Sequence, residues 1–212
     1  MRNKLSVVII SKNEEEFIAD AVKSALFADE VLVLDSGSID ATCEIAQNLG
    51  AKVLYQDWLG FGAQKNKAVE LAKNDWVFVL DSDERITDEL QLEILNTLKN
   101  PTAEGYHTAR LNNFFGKNIR HCGLYPDYSI RLFNKSKSKF NEVSVHESVQ
   151  VKGTTAKLKN HMIHLAFNTV SEFTDKQKNY AELSQKNKNL FKAFISPIWT
   201  FVKIYIFRLG FV

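Results

Sequence analysis

Cysteine is scarce: Cys43 and Cys122 are the only two in 212 residues, and they stand isolated, without CxxC spacing. That argues against a disulfide framework and for a reducing compartment, with both read as packed thiols rather than nucleophiles. Long apolar runs are missing at the start. MRNKLSVVIISKNEEE returns to charge too soon for a signal peptide or a membrane span, which predicts folding in the cytoplasm. Internal repeats and low-complexity linkers are absent as well. What is present, 45% hydrophobic and 25% charged residues, suits one sizeable α/β domain with a full core rather than two domains.

Charge is unevenly spread. Residues 1–133 carry 14 Lys and Arg against 20 Asp and Glu, whereas residues 134–212 carry 13 against 5, so the net +2 hides a basic final third. Such a surface favours an anionic partner, phospholipid, a phosphorylated acceptor or nucleic acid; a solvated lysine-rich face is the alternative.

LSVVII, EVLVLD, AKVLYQ and WVFVLD read as strands. Between them fall a helical pattern introduced by Asn13, a helix from Asp40 to Leu49 closed by Gly50, and a helix around AQKNKAVELAK; a further helix, TDELQLEILNTLK, has Thr87 as its N-cap. Alternation of this kind predicts an α/β fold, a mostly parallel sheet flanked by helices with right-handed crossovers. After about residue 104 the pieces GYHTARLNNFFGKNI, YSIRLFNK, FNEVSVHESVQVKG and KLKNHMIHLAF predict a mixed or antiparallel extension of the sheet. From Ser171 the chain reads as helical.

Ligands of such sheets bind beyond the carboxyl ends of the strands. WVFVLDSDER puts Asp81, Asp83 and Glu84 at one of those ends, where like charges raise one another's pKa unless a cation intervenes. Two carboxylates one residue apart suit Mg²⁺ or Mn²⁺ with positions left for a diphosphate. A polar turn in which Asp81 or Ser82 caps the next helix is the plain alternative.

ISKNEEEFIADAVKSA, VLVLDSGSIDAT, GFGAQKN and VFVLDSDE, in this order and spacing, resemble the family 2 glycosyltransferases of GT-A fold. YPDYSIRLFNK, SVHES and HMIHLAF resemble more closely the subgroup of β-1,4-glucosyltransferases that builds the lipopolysaccharide inner core. The resemblance implies a metal-dependent inverting transfer of a hexose, glucose from UDP-glucose, to a lipid-linked oligosaccharide core acceptor, with no nucleic acid as partner. Another cell-surface polysaccharide or glycolipid, or a non-catalytic scaffold of the same fold, is the alternative. A sugar-nucleotide pyrophosphorylase would need a glycine- and basic-rich loop where SKNEEE stands, and a phosphoacceptor receiver domain would need paired acids where ISKN stands.

Carried over, the resemblance puts Ser11, Asn13 and Glu14 at the nucleotide pocket and Asp35 on the uracil or ribose. Lys65 would sit by the base and diphosphate and Arg131 on a phosphate. Asp81 would touch ribose and metal, Asp83 would be the main metal ligand, and His164 would complete the shell or contact the diphosphate, ahead of His146 and His161. Glu147 is the expected general base, with Asp127 second. Plainer roles compete: Asn13 as a helix cap, Asp35 opening an Asx-turn before Gly37, Gln64 and Asn66 as helix-start residues, Glu147 as an exposed strand-end acid, Arg131 in an internal salt bridge. CGLYPD stands where the family tends to have Trp before YPD.

The expected organisation is a GT-A domain over 1–170, with a nucleotide-sugar half (1–100) and an acceptor half (101–170), followed by a helical segment over 171–212. The tail FKAFISPIWTFVKIYIFRLGFV is too interrupted by charge to span a bilayer and too apolar for a solvated helix. It predicts peripheral docking on the anionic inner face of the cell membrane; packing on its own domain or in an oligomer is the alternative. The chain stops at RLGFV where the family continues, which implies truncation.

Overall fold

The computed structural model describes residues 1–141, 147–167, 169, 174, 178 and 199–207. These fall into two compact units, one of residues 1–110 and 128–163 and the other of 111–127 and 164–212.

The first unit opens with β1 (Leu5–Ser11), α1 (Ile18–Ala25), β2 (Glu30–Asp35), α2 (Thr42–Asn48), β3 (Lys52–Tyr55), α3 (Phe61–Leu71) and β4 (Trp76–Asp81). β1 pairs in parallel with both β2 and β4, and β2 with β3. Consecutive residues of these strands feed two different cores. Leu5, Val7, Ile9, Val33, Phe78 and Leu80 pack with α1 on one face, while Val8, Leu32, Leu34, Val77 and Val79 pack with α3 on the other. Burial on both faces is why the strands are apolar throughout rather than alternating.

β5 (Glu84–Ile86), α4 (Asp88–Thr97), β6 (Gly105–Phe114), β7 (Lys117–Ile119), β8 (Asp127–Asn134), β9 (Ser138–Phe140), β10 (Val149–Val151) and β11 (Thr155–Phe167) follow. The strand order is β3-β2-β1-β4-β8-β6-β11-β5, with β8 antiparallel to β4 and a separate β9–β10 hairpin. The expected mixed extension is therefore present. β5 is not legible as a strand from sequence, because three residues carrying Glu84 and Arg85 look like turn. Thr87 does cap α4: its hydroxyl accepts from the Leu90 N–H at 3.3 Å and donates to the His161 carbonyl at 2.9 Å.

In the second unit β7 folds back on the end of β6, pairing Asn112 with Ile119 and Phe114 with Lys117. Residues 199–202 are α-helical and Lys203–Phe207 forms a π-helical turn, with the Phe201 and Tyr205 rings stacked at 5.1 Å. Trp199, Phe201, Ile204 and Tyr205 are exposed. Among the described residues no helix is long and apolar enough to cross a membrane.

Candidate active site

Because Ser11 lies opposite Asp35 in the β1–β2 register, the loops that leave these strands run side by side. Asp35 is buried, and its carboxylate accepts from the Ser11 hydroxyl (3.0 Å), the Ser38 hydroxyl (2.5 Å) and the N–H groups of Gly37 and Ser38 (2.8 Å each). Burial pushes this carboxyl up; the four donors more than reverse it and hold it below the ordinary 3.8. This is the Asx-turn open to Asp35 on sequence, and Gly37 turns within it at φ +88°.

Asn13 takes the left-handed conformation at φ +54°. Its side-chain oxygen accepts from the Ile39 N–H (2.9 Å) and its own N–H donates to the Ser38 hydroxyl (2.8 Å). It therefore stitches the β1 loop to the β2 loop instead of capping α1, which begins at Ile18 without a side-chain cap. The Glu14 N–H donates to Thr42 Oγ1 at 2.7 Å. Burial raises the Glu14 carboxyl; a Ser82 hydrogen bond lowers it in part, and Asp83, Asp40 and Asp81 raise it further.

The crowding at the end of β4 is answered by two cations from elsewhere in the chain. Lys65, buried on α3, places Nζ 2.9 Å from Asp81 Oδ1 and 2.8 Å from Glu147 Oε1. Arg131, buried on β8, donates from Nη1 and Nη2 to Asp81 Oδ2 at 3.1 Å each and from Nη2 to Glu84 Oε1 at 2.7 Å. Glu84 Oε2 accepts the Asp81 N–H at 3.0 Å, and Arg110 lies 3.8 Å from Oε1. The result is a line of alternating charge, Glu84, Arg131, Asp81, Lys65, Glu147, drawn from five places in the sequence.

Burial would push the Asp81 carboxyl up, yet Arg131 and Lys65 together hold it well below the usual carboxylate range. Burial would lower the Lys65 ammonium, and Asp81 and Glu147 raise it instead. Glu84 goes the other way. It is 0% exposed, and burial, aided by Asp81 and Asp83, raises it despite Arg131.

The turn itself is held by Arg85, which donates to the carbonyls of Ser82 (2.7 Å), Glu84 (2.7 Å) and Phe17 (2.9 Å). Neither Asp81 nor Ser82 caps the following helix. Sequence reading counts Glu84 among the acids without giving it a role and does not single out Arg85. The signal available was an acid and a cation just past DxD.

Gln64 is buried and donates to the Ser36 hydroxyl at 2.9 Å, while Asn66 brackets the Phe140 backbone, donating to its carbonyl (3.0 Å) and accepting its N–H (2.8 Å). Arg131 Nε also donates to the Ser129 hydroxyl at 3.2 Å. Asp127 and His164 belong to the second unit, where His164 Nδ1 lies 2.7 Å from Asn112 Oδ1. His146 lies outside the described residues.

As donors for a divalent cation, the strand-end carboxylates supply hard oxygen of the right kind for Mg²⁺ or Mn²⁺. Asp81 has both oxygens engaged, Oδ1 by Lys65 and Oδ2 by Arg131. The upward push that Asp83 exerts on Glu14 and Glu84 is a repulsion that a bound cation would relieve. Among the described residues no three His, Cys, Asp or Glu side chains form a ready-made cage.

Comparison with known proteins accords with this geometry. The chain is 31% identical over 229 residues to an uncharacterised glycosyltransferase of Rickettsia typhi, covering 99% of this chain and 78% of that one. It is 27% identical over 222 residues to the lipopolysaccharide core biosynthesis glycosyltransferase LpsC of Rhizobium meliloti, covering 97% and 82%. Among solved structures, S. aureus TarS 1-349 in complex with UDP-GlcNAc aligns at TM-score 0.56 and 17% identity, over 78% of this chain and 59% of that one. At that identity the likeness shows the fold, GT-A, and the chain spans about 60% of the TarS 1-349 length. Residues 6–150 match the family described as glycosyl transferase family 2. With a strand-end acid cluster on a GT-A sheet and a match over most of its length, the chain belongs to that family and is a transferase.

Proposed function

We propose that this glycosyltransferase moves a hexose, glucose from UDP-glucose, onto a lipopolysaccharide or lipooligosaccharide core acceptor with inversion, using Mg²⁺ or Mn²⁺. The observation that carries the reading is Lys65, whose one ammonium touches both the first aspartate of DxD and the acid chosen as base. LpsC, related along nearly the whole chain, supports the acceptor class, and the UDP-GlcNAc complex of TarS supports a uridine-diphosphate donor.

In this reading the acceptor hydroxyl oxygen attacks the anomeric carbon, the bond from that carbon to the diphosphate breaks, and UDP departs with the bonding pair. Glu147 takes the hydroxyl proton, with Asp127 the second candidate. Asp83 would hold the divalent ion, which supplies charge neutralisation for the departing diphosphate. Ser11, Asn13, Glu14 and Asp35 form the nucleotide side, with Asp35 shaping the turn against which the base and ribose rest. Arg131 acts there through Asp81, keeping its carboxylate charged and aimed. The acceptor is lipid-linked, so the exposed aromatic turn at 199–205 and the basic final third would dock on the anionic inner face of the membrane.

The test is UDP release from a panel of UDP- and other nucleotide-activated sugars, with purified lipooligosaccharide core as acceptor. Turnover should be highest with UDP-glucose and disappear without acceptor. Release from no UDP-sugar, or release indifferent to the core acceptor, would sink the assignment.

A further inference from the structure

Glu147 reaches the cluster from a segment far along the chain, and the group that meets it there is Lys65 Nζ at 2.8 Å. That ammonium is also 2.9 Å from Asp81 Oδ1 and 5.8 Å from the centre of the Phe140 ring. Among the described residues, the charged groups facing the Lys65–Glu147 pair are Asp81 at the end of β4 and, behind it, Arg131 on β8. Phe140 closes the β9 side, and its backbone is fixed to α3 by Asn66, the residue next to Lys65. Lys65 therefore stands on a rigid helix, is 5% exposed, and has its stem enclosed. A cation held this way fixes the position of any carboxylate bound to it.

We propose that Lys65 is the positioning residue for the acceptor-side acid: it aims Glu147 from the donor-side loop, so that deprotonation of the acceptor hydroxyl is built on the same ammonium that braces Asp81. This rests on the assignment of Glu147 as base. It goes beyond a diphosphate contact, because it makes Lys65 act on transfer as well as on donor binding. A displacement of the base by an ångström or so costs about 10²-fold in rate.

A double-mutant cycle on the full chain tests it, with kcat for UDP release from UDP-glucose and core acceptor, and UDP affinity by calorimetry, measured for Lys65→Met, Glu147→Gln and the double variant. Lys65→Met should lower kcat about 10²-fold in the parent but add no further loss in Glu147→Gln, since there is then no base left to aim. Lys65→Arg should recover part of the loss, and if Lys65→Met does not fold, the same cycle is run with Lys65→Arg, whose smaller loss should likewise vanish on Glu147→Gln. Equal losses of kcat in both backgrounds would overturn the inference and leave the base assignment standing. Near-normal turnover in Glu147→Gln alone would overturn the base assignment, and the inference with it.

Discussion

Arg131→Met should be the most damaging single change near the strand-end acids, because it leaves fully buried Glu84 facing Asp81 with its main counter-ion gone. Breaking a buried pair from one side costs about 3–5 kcal/mol, which urea unfolding would measure. Asp35 gives a pH-dependent counterpart. Its folded value lies below the ordinary 3.8, so its contribution is fully present above that value and is lost as pH falls through the folded one. Asp35→Asn should thus be destabilised at neutral pH, with the gap to the parent closing as unfolding is followed downward from pH 3.8. A gap that stays constant with pH would speak against the carboxylate as its source. At this scale the sequence was partly legible. Of the groups the structure brings together, Asp81, Lys65 and Glu147 stand in recognisable motifs, and Asp35 is marked by its Gly37 turn. The partners could not be picked out, because Glu84 finds Arg131 at a separation of 47 residues and Lys65 finds Glu147 at 82, distances over which local pattern carries no information.

Elements with a strong repeat were readable. The apolar runs of β1, β2 and β4 signal burial on both faces, and Thr87 before DELQLEIL signals the start of α4. Short elements were not: β5 has three residues, and α1 starts later than Asn13 suggests because the chain between them is bonded to the β2 loop. Asn66 offers an element-scale test. Its amide makes two hydrogen bonds to Phe140 and so joins β9 to α3. Asn66→Ala should cost about 1–3 kcal/mol by leaving the Phe140 backbone groups unpaired. Amide exchange should quicken at Phe140 and at Val149, its partner in the hairpin, while β1 and β4 remain protected. Quickened exchange throughout the sheet would mean that Asn66 supports the whole fold instead of this joint.

For the molecule as a whole, the unequal distribution of charge predicts where it works. The 13 Lys and Arg of residues 134–212 oppose only 5 acids, and Trp199, Phe201, Ile204 and Tyr205 lie exposed near the carboxyl end. Each cation close to an anionic surface contributes about 1 kcal/mol, so flotation with anionic liposomes should retain the full chain and release one lacking residues 195–212. Equal flotation of both, or binding unaffected by salt, would remove the docking proposal. The catalytic proposal depends most on the strand-end acids serving a metal-bound diphosphate, and the direct measurement is calorimetry of UDP with and without Mn²⁺ on the parent and on Asp83→Asn. The parent should bind UDP far more tightly with Mn²⁺, and Asp83→Asn should lose that dependence while keeping the parent's urea midpoint. UDP affinity that is the same with and without Mn²⁺ in the parent, or Mn²⁺ dependence undiminished in Asp83→Asn, would contradict it.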